Sequence, residues 1–146
     1  MSKQFVVEVY TDKGKVLEKS ADFLELPGMT GNIGIAYDHT PSLLECTTGE
    51  MVLKTANNTH FYIIPKDSIA HVLKDKVTVL THFLEAVENI DKHRAQEAKE
   101  RAEKRINEVQ NQMGGTNGTS INLQRAKQSL FRAELRLEIV ARNQLK

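Results

Sequence analysis

The spacing of hydrophobic residues changes near residue 87 and divides the chain into two regions. Before that point, hydrophobic positions occur in short runs rich in β-branched and aromatic residues, which recur about every 8–12 residues with Gly, Pro or Asn between them. In the last of these runs Val77, Val79 and Thr81 share one face of a strand, as period-2 alternation requires. Residues 1–86 are therefore predicted to form an antiparallel β-sandwich or flattened barrel.

Residues 87–146 instead repeat their hydrophobic positions every three or four residues, as amphipathic helices do. Two apolar stripes result. The stripe of the first predicted helix is largely alanine and consists of Ala95, Ala98, Ala102, Ile106, Val109 and Met113. The stripe of the second consists of Leu123, Ala126, Leu130, Ala133, Leu137 and Val140. Asn89 or Asp91 is expected to cap the first helix, and Thr119 or Ser120 the second. The glycine-rich segment 114–120 is predicted to be the turn between them, so two helices of about 22 residues should form an antiparallel hairpin.

The predicted fold class is therefore α+β with segregated domains, an antiparallel β-sandwich over residues 1–86 and a two-helix hairpin over residues 87–146. Because alanine side chains bury little area, the contact between the two helices is expected to be close but weak.

Charge is distributed unevenly between these regions. The formal charge of the whole chain is +1, which argues against nucleic acid as a partner. Residues 1–86 hold 8 basic and 11 acidic side chains, whereas residues 87–146 hold 12 basic and 8 acidic ones. The two regions are therefore expected to face different partners. The first residues lack the apolar run of a signal peptide, and no run approaches the roughly 20 residues that cross a bilayer, so a cytosolic or peripheral location is expected.

Residues able to do chemistry are present, but not in catalytic combinations. Cys46 is the single cysteine, and we interpret it as a half-buried strand residue rather than a nucleophile. Segment 114–120 lacks the Lys-Ser/Thr ending of a phosphate-binding loop. Four histidines recur at steps of eleven, but they fall in different predicted elements and predict no metal site: His60, His71, His82 and His93. With no paired nucleophile and base, the sequence predicts a protein that is not an enzyme.

Segment 26–41, LPGMTGNIGIAYDHTP, has three glycines between two prolines. This composition predicts a tight, exposed loop. Exposed loops often carry contacts to partners, and a purely structural turn fits the same composition.

Arginines recur on one face of each predicted helix. Arg94, Arg101 and Arg105 share a face of the first helix, and Arg132 and Arg136 lie one turn apart on the second. With the helices paired about a midpoint near residue 116, Arg101 would lie level with Arg132, and Arg94 close to the level of Arg136. Like charges brought together near a surface repel by on the order of 1 kcal/mol per pair. Such arginines either turn into solvent or hold an anion such as a polyphosphate.

The order of these features resembles a known family. A β-sandwich with a G-x-x-G-I…H-x-P segment (Gly31, Gly34, Ile35, His39 and Pro41) precedes I-D-x-x-R-A (Ile90, Asp91, Arg94 and Ala95) and a helical hairpin. Over essentially the whole chain, this arrangement is similar to the epsilon subunits of bacterial F-type ATP synthases.

The resemblance implies a noncatalytic subunit of the central stalk, which helps to couple proton or sodium flow to ATP synthesis. The implied partners are the gamma subunit, the ring of c subunits and the catalytic beta (and alpha) subunits, on the cytoplasmic face of the cell membrane and peripheral to it. The implied contacts to the ring and to gamma come from Gly31, Asn32, Ile33, Gly34, Tyr37 and His39. The helices would inhibit ATP hydrolysis by changing conformation, through basic residues of the second helix: Arg125, Lys127, Arg132, Arg136 and Arg142.

In part of this family ATP binds the helical region as a regulatory ligand, and no cofactor is obligatory. The residues that match here are Glu85, Ile90, Asp91, Arg94, Ala95, Arg101, Arg132 and Arg136. An alternative interpretation is a free-standing regulatory module that binds ATP and uses its β-sandwich for protein interaction.

Overall fold

The computed structural model describes residues 3–111 and 117–144, and within these ranges the chain forms ten strands followed by two helices. The strands are β1 (Phe5–Thr11), β2 (Gly14–Ala21), β3 (Phe23–Gly28), β4 (Gly31–Ile35), β5 (Ser42–Cys46), β6 (Gly49–Lys54), β7 (Thr59–Ile64), β8 (Ser68–Val72), β9 (Lys76–Leu80) and β10 (Glu85–Ala86). The helices are α1 (Lys92–Asn111) and α2 (Asn117–Gln144), and a short 3-10 turn at Val87–Asn89 precedes α1.

Contacts divide the chain into two units, Met1–Asn89 and Ile90–Lys146. The first unit contains the strands and the second contains the helices. The predicted fold class, a β-sandwich followed by a pair of helices, is confirmed.

The described strands form one curled sheet in the order β10-β7-β6-β3-β5-β8-β9-β1-β2, with β4 paired to β3. The pair β1–β9 is parallel, and the other described pairs are antiparallel. The alternation predicted for the last run is present, since Val77 and Val79 are fully buried whereas Leu80 is 51% exposed. Val7 and Val9 of β1 lie opposite Val77 and Val79 and are equally buried, so these two strands supply the centre of the core.

Three features of the strands depend on pairing partners that local periodicity does not reveal. Residues 16–26 belong to two strands, because the chain leaves β1 after Ala21 and begins a new pairing at Phe23 with Lys54 of β6. Pro27 lies inside β3, although proline often ends a strand. Proline has no backbone N–H to donate, but the Pro27 carbonyl still accepts a hydrogen bond from the Thr47 N–H at 2.9 Å. The strand can therefore include Pro27, because this residue still takes part in backbone hydrogen bonding. Strand β10 was not predicted, because a strand of two residues is too short to show alternation of hydrophobic and polar positions.

The apolar stripes of both helices are buried in part where the structure describes their side chains, and the remaining described members are half-buried: Ala98, Ile106, Val109, Leu123, Leu130 and Leu137. Ala95 and Ala102 of α1 are 4% exposed, and Ala126, Ala133 and Val140 of α2 are 7% exposed or less. Met113 lies outside the described residues. Among the described residues, neither helix is long and apolar enough to cross a membrane.

The start of the second helix was predicted too late. Helix α2 begins at Asn117, so Thr119 and Ser120 are inside the helix and do not cap it, and the predicted turn 114–120 does not extend to its last residues. The prediction assigned Gly118 to the turn. A glycine inside a helix lowers the stability of the helix by only about 1 kcal/mol relative to alanine, so Gly118 can lie within α2.

A carboxylate on the outer side of β1 is held by two neighbours. Glu8 is only 7% exposed, the Tyr10 hydroxyl donates to its Oε2 at 2.6 Å, and Lys76 Nζ lies 3.1 Å from its Oε1. The hydrogen bond from Tyr10, and then the bond from Lys76, lower the pKa of Glu8 below its ordinary value. The same hydrogen bond raises the pKa of Tyr10.

This arrangement predicts an acid-dependent part of the stability. Because the pKa of Glu8 is lower in the folded than in the unfolded state, its stabilisation is present above the unfolded value of about 4.3 and is lost as pH falls through the folded pKa. We expect Glu8→Gln to lower the melting temperature at neutral pH and to reduce the fall in melting temperature on acidification. Thermal unfolding followed by circular dichroism over a pH series measures both. Glu45→Gln, which alters an exposed carboxylate, is the control and should follow the unaltered chain. Identical acid dependence in all three proteins would contradict the role assigned to Glu8.

Candidate functional site

The I-D-x-x-R-A segment forms the start of α1, and Asp91 is its cap. Asp91 Oδ1 accepts a hydrogen bond from the Arg94 N–H at 3.2 Å, and the Asp91 carbonyl accepts one from the Ala95 N–H at 3.0 Å. Asp91 is therefore confirmed as the capping residue, in preference to Asn89, which belongs to the preceding 3-10 turn. Helix starts leave backbone N–H groups unsatisfied, and an Asp side chain satisfies one of them.

The side chains of this segment differ in exposure. The Arg94 side chain is 85% exposed and its Nε lies 3.8 Å from Asp91 Oδ2. Ile90 is half-buried and Ala95 is buried. The exposed guanidinium and the adjacent carboxylate can therefore reach a ligand from solvent, while Ala95 contributes to packing.

A groove between α1 and α2 contains two neighbouring cavities. The smaller, about 190 Å³, is lined by Ala98, Arg101, Ala102, Arg105, Ala126 and Ser129. The larger, about 360 Å³, is lined by Arg105, Glu108, Val109, Arg125, Ala126 and Ser129. Because residues 105–109 of α1 share the larger cavity with the early part of α2, the helices run antiparallel, as predicted.

The groove brings together some of the predicted arginines. Arg101 lines the smaller cavity with Ser129, and Arg132, which lines neither cavity, donates from Nη2 to Ser129 Oγ at 3.4 Å. Arg94 lines neither cavity and is instead beside Asp91. Arg136 follows Arg132 by one turn and is half-buried.

Two arginines of the groove were not among the predicted ATP-binding residues. Arg105 lines both cavities, and Arg125, assigned from sequence only to the basic helix, lines the larger one. The spacing of four residues between Arg101 and Arg105 was the available signal for the first. Arg125 had no such signal, because its position opposite Arg105 depends on how the helices pair.

The remaining predicted residue, Glu85, belongs to the other unit. It lies in β10, pairs with Ile63 of β7 and is half-buried.

The five basic residues predicted on the second helix do not share one face. Arg125, Arg132 and Arg136 are spaced by seven and four residues and lie on one side of α2. Lys127 lies on the opposite side, and Arg142 lies roughly a quarter of a turn round the helix from the three arginines. Arg142 Nη2 is 3.6 Å from Glu138 Oε1.

Segment 26–41 is a hairpin rather than a continuous loop. Strands β3 and β4 contain most of its first ten residues, with Met29 at the tip 65% exposed. Gly31 has φ of +138°, a conformation that L side chains rarely adopt. The Asn32 Nδ2 donates to Glu25 Oε1 at 2.8 Å across the hairpin, and Ile33 packs against the core.

The rest of the segment is held by local contacts. A Cβ added at Gly34 would lie 2.7 Å from Cζ of Phe23, so glycine is required there for the ring to pack. The Tyr37 ring lies under two ammonium groups, with Lys3 Nζ 5.4 Å and Lys74 Nζ 6.0 Å from its centroid. His39 Nδ1 is 2.8 Å from the Thr40 carbonyl oxygen. Gly31, Asn32 and Gly34 are thus the exposed members of the predicted contact set, and Gly34 also has a packing role. Met29, at the tip and outside that set, is exposed as well.

Two other candidate groups have a structural explanation. Cys46 is fully buried in β5, more deeply than expected, and burial followed by the charge of Glu45 raises the pKa of its thiol, which disfavours the reactive thiolate. Among the described residues, no three His, Cys, Asp or Glu side chains are grouped to hold a metal ion.

Two family models match the chain in succession. The "ATP synthase, Delta/Epsilon chain, beta-sandwich domain" matches residues 4–87, and the "ATP synthase, Delta/Epsilon chain, long alpha-helix domain" matches residues 88–141. The chain belongs to the delta/epsilon chain family of the ATP synthase. The family resemblance inferred from sequence is therefore confirmed, as is the expectation of a noncatalytic subunit.

Relatives in this family match over nearly the full length. The ATP synthase epsilon chain of Desulfitobacterium hafniense (strain DSM 10664 / DCB-2) is 35% identical over 143 residues, covering 98% of this chain and 100% of the relative. That of Bacillus cytotoxicus is 33% identical over 137 residues, covering 94% and 96%.

A solved assembly of the mitochondrial ATP synthase of Euglena gracilis contains a chain with the same fold. It matches with a TM-score of 0.67 at 16% identity, covering 98% of this chain and 82% of that one. A chain of the Tetrahymena thermophila mitochondrial ATP synthase central stalk and c-ring matches with a TM-score of 0.56 at 11% identity.

The two roles of Asp91 can be separated by substitution. We expect Asp91→Ala to destabilise α1 by about 1 kcal/mol, since it removes the cap, whereas Asp91→Asn should retain most of the capping hydrogen bond. Helical circular dichroism at 222 nm (the amide band) during thermal unfolding measures the difference. Equal losses of helix stability in both variants would show that charge rather than capping is the contribution of Asp91.

Proposed function

We propose that this chain is the epsilon-type subunit of the central stalk of an F-type ATP synthase. The observation that carries the proposal is the match of both family domains, in order, over residues 4–141. In this role the chain does no chemistry itself and contributes to coupling proton or sodium flow to ATP synthesis. The alternative of a free-standing signalling module finds no support in these matches.

The β-sandwich is proposed to join the stalk to the membrane part of the complex. Its partners would be the gamma subunit and the ring of c subunits, at the cytoplasmic face of the cell membrane. The β3–β4 hairpin suits contact with the ring, because Met29, Gly31 and Asn32 are exposed and the hairpin is an extension of the sheet. Tyr37 and His39 follow directly and would add to the same contact.

The two helices are proposed to inhibit ATP hydrolysis by changing position. Their mutual contact consists largely of buried alanines, which remove little apolar area from water, so separating them costs less than separating leucine-lined helices. Once released, α2 would present Arg125, Arg132 and Arg136 together to acidic surfaces of the catalytic beta (and alpha) subunits, with Lys127 and Arg142 available to another surface.

ATP is proposed to favour the closed pair of helices. Asp91 and Arg94 are exposed at the start of α1, and Arg101 and Arg132 lie near Ser129 in the groove. Arginine forks match phosphate oxygens, and a ligand that contacts both helices stabilises the state in which they are paired. Ile90, Ala95, Glu85 and Arg136 complete the proposed set.

This proposal predicts ATP binding without turnover. The affinity should lie between micromolar and millimolar, roughly −8 to −4 kcal/mol. Arg101→Ala and Arg132→Ala should each weaken binding by about 1.5–3 kcal/mol, since each removes a charge-assisted hydrogen bond. Isothermal titration calorimetry measures both, with Lys127→Ala as the control because Lys127 is exposed and lies on the opposite side of α2. Binding heat that neither substitution alters would exclude the arginine pair as the phosphate contact.

Truncation tests whether the strand-containing unit is sufficient for assembly and the helical unit is responsible for inhibiting ATP hydrolysis. A chain ending at Asn89 retains β10 and the 3-10 turn and lacks only the helical unit. When this chain replaces the full chain in a reconstituted ATP synthase, we expect assembly to persist and ATP hydrolysis to increase. Co-purification with the gamma subunit and a coupled hydrolysis assay report on the two outcomes. If the truncated chain no longer joined the complex, the helical unit would be needed for assembly and the regulatory proposal would have to be abandoned.

A further inference from the structure

The segment that joins the two units has a histidine–glutamate pair at each end. Before the boundary between residues 89 and 90, His60 Nδ1 of β7 lies 4.0 Å from Glu88 Oε1 in the 3-10 turn. After that boundary, His93 Nε2 lies 3.2 Å from Glu97 Oε1 at the beginning of α1. Residues 89–92 are the chain between the two pairs. Each pair therefore lies where it can affect how firmly the joining segment is held.

The first pair follows from the pairing of β10 with β7. Ala86 lies opposite Tyr62, and because antiparallel partners run in opposite directions, Glu88 is brought level with His60. Val87, between Ala86 and Glu88, is buried and anchors the turn. The Glu88 side chain is 80% exposed, whereas that of His60 is 22% exposed. The attachment of Glu88 to β7 therefore depends on its attraction to His60 rather than on packing.

The second pair is local to α1. His93 and Glu97 are four residues apart, so their side chains lie on one face of the helix, opposite Ala95 of the buried stripe. These side chains are 82% and 54% exposed. Opposite charges at this spacing stabilise a helix, and here they act on the turn where α1 begins.

Both pairs become ion pairs only when the imidazole is protonated. Histidine is the side chain that ordinarily changes charge between about pH 5 and 8, and glutamate is ordinarily ionised throughout that range. Within residues 3–110 and 123–142, where side chains are described, neither Glu88 nor Glu97 forms an ion pair with a lysine or arginine. Protonation of two histidines would therefore add two attractions to the same short segment.

The elements around His60 add one other titratable group on its side of the sheet. Tyr62 shares that face of β7, and burial, followed by the charge of Glu88, raises the pKa of Tyr62, so its phenol is neutral between pH 5 and 8. On β6, Leu53 lies opposite His60 and has no charge. The next residue, Lys54, points to the other face of the sheet. Glu88 is thus the charged partner that the described structure provides for His60.

Other charged groups near His93 have partners of their own. Glu100, on the same face of α1, accepts a hydrogen bond from Gln96 Nε2 at 3.3 Å. Asp91 caps the helix and lies beside the Arg94 guanidinium. Helix α2 packs on the alanine stripe, on the opposite side of α1, so its described charged side chains lie away from His93.

We propose that the two pairs make the joint between the units a pH-sensitive hinge, here named the His60–His93 hinge and consisting of residues 87–97 together with His60. At about pH 5.5, protonated imidazoles hold Glu88 to β7 and stabilise the first turns of α1, so the hinge is stiff. At about pH 7.5, neutral imidazoles no longer attract the two carboxylates, and the segment opens more often. This inference concerns the joint itself and does not rest on the proposed function, so either can fail alone.

The test is amide hydrogen exchange of the full-length chain, measured by mass spectrometry at about pH 5.5 and about pH 7.5. Protection factors, which correct each rate for its intrinsic dependence on pH, are compared between residues 87–97 and the reference strands β1 and β9. The variant Glu88→Gln/Glu97→Gln removes both carboxylates. The matched control, Glu45→Gln/Glu103→Gln, also removes one exposed carboxylate from each unit, at residues that no described histidine contacts as an ion pair. Circular dichroism verifies that both variants keep their fold.

In the unaltered chain and the control, we expect residues 87–97 to be about two- to fivefold more protected at the lower pH, which is the size of effect that exposed ion pairs have. Strands β1 and β9 should show no such difference, because their protection does not depend on either pair. The variant Glu88→Gln/Glu97→Gln should lose the difference and resemble the unaltered chain at the higher pH.

Single variants assign the effect to each pair. Glu88→Gln should remove the pH difference at residues 87–89, and Glu97→Gln should remove it at residues 92–97. Sodium chloride at about 1 M should reduce the difference in the unaltered chain, because salt screens exposed charges. Protection that is independent of pH in the unaltered chain, or a pH difference that persists in the double variant, would overturn the proposal. An equal loss in the control would overturn it as well, since net charge rather than the two pairs would then be the cause.

Discussion

The close contact between the buried alanines of α1 and those of α2 is the constraint on which the helical unit depends. Ala95 and Ala102 of α1, and Ala126 and Ala133 of α2, are at most 4% exposed. Because alanine extends little from the backbone, the helices approach closely and the longer side chains at the edges of each stripe must share one groove. Arg101, Arg105 and Arg125 are such side chains. The close contact between the helices therefore brings arginines together and also buries little apolar area. Because that burial stabilises the pair only weakly, repulsion between the arginines, or a ligand bound to them, can change whether the helices stay paired.

The residues proposed to bind ATP at the start of α1 also hold the local structure of the helix. The carboxylate of Asp91 accepts the Arg94 N–H and also lies near the Arg94 guanidinium. An anionic cap is favoured at a helix N-terminus because the unsatisfied N–H groups carry partial positive charge. A ligand that engages Asp91 or Arg94 therefore acts on the residues that begin the helix, which links occupancy of this end to the stability of α1.

The sheet gives the proposed contact surface its rigidity. Strand β3 pairs with β4 along Leu24–Gly28 on one side and with β6 and β5 on the other. Close approaches at three glycines permit this arrangement, since added Cβ atoms would contact Ile33 at Gly28, Phe23 at Gly34 and Pro27 at Gly49 at under 3 Å. The exposed tip at Met29 is consequently an extension of a packed sheet, which suits the contact with the ring of c subunits proposed above.

The sequence by itself determined the class of each unit and the alternation of the last strand run, because these follow from local periodicity. It narrowed the cap of α1 to Asn89 or Asp91, and the structure decided for Asp91. The sequence also determined the family, since the two motifs and their order need no coordinates to be read. Only the tertiary structure decided that 16–26 is two strands and that Pro27 lies within a strand, since these depend on partners distant in sequence. The structure also decided that α2 begins at Asn117, because Gly118 makes a helix and a turn similarly plausible from sequence. The same is true of the groove. Periodicity placed Arg101 and Arg105 on one face of α1. That Arg105 and Arg125 line the same cavity depends on the register of one helix against the other, which the local sequence does not encode.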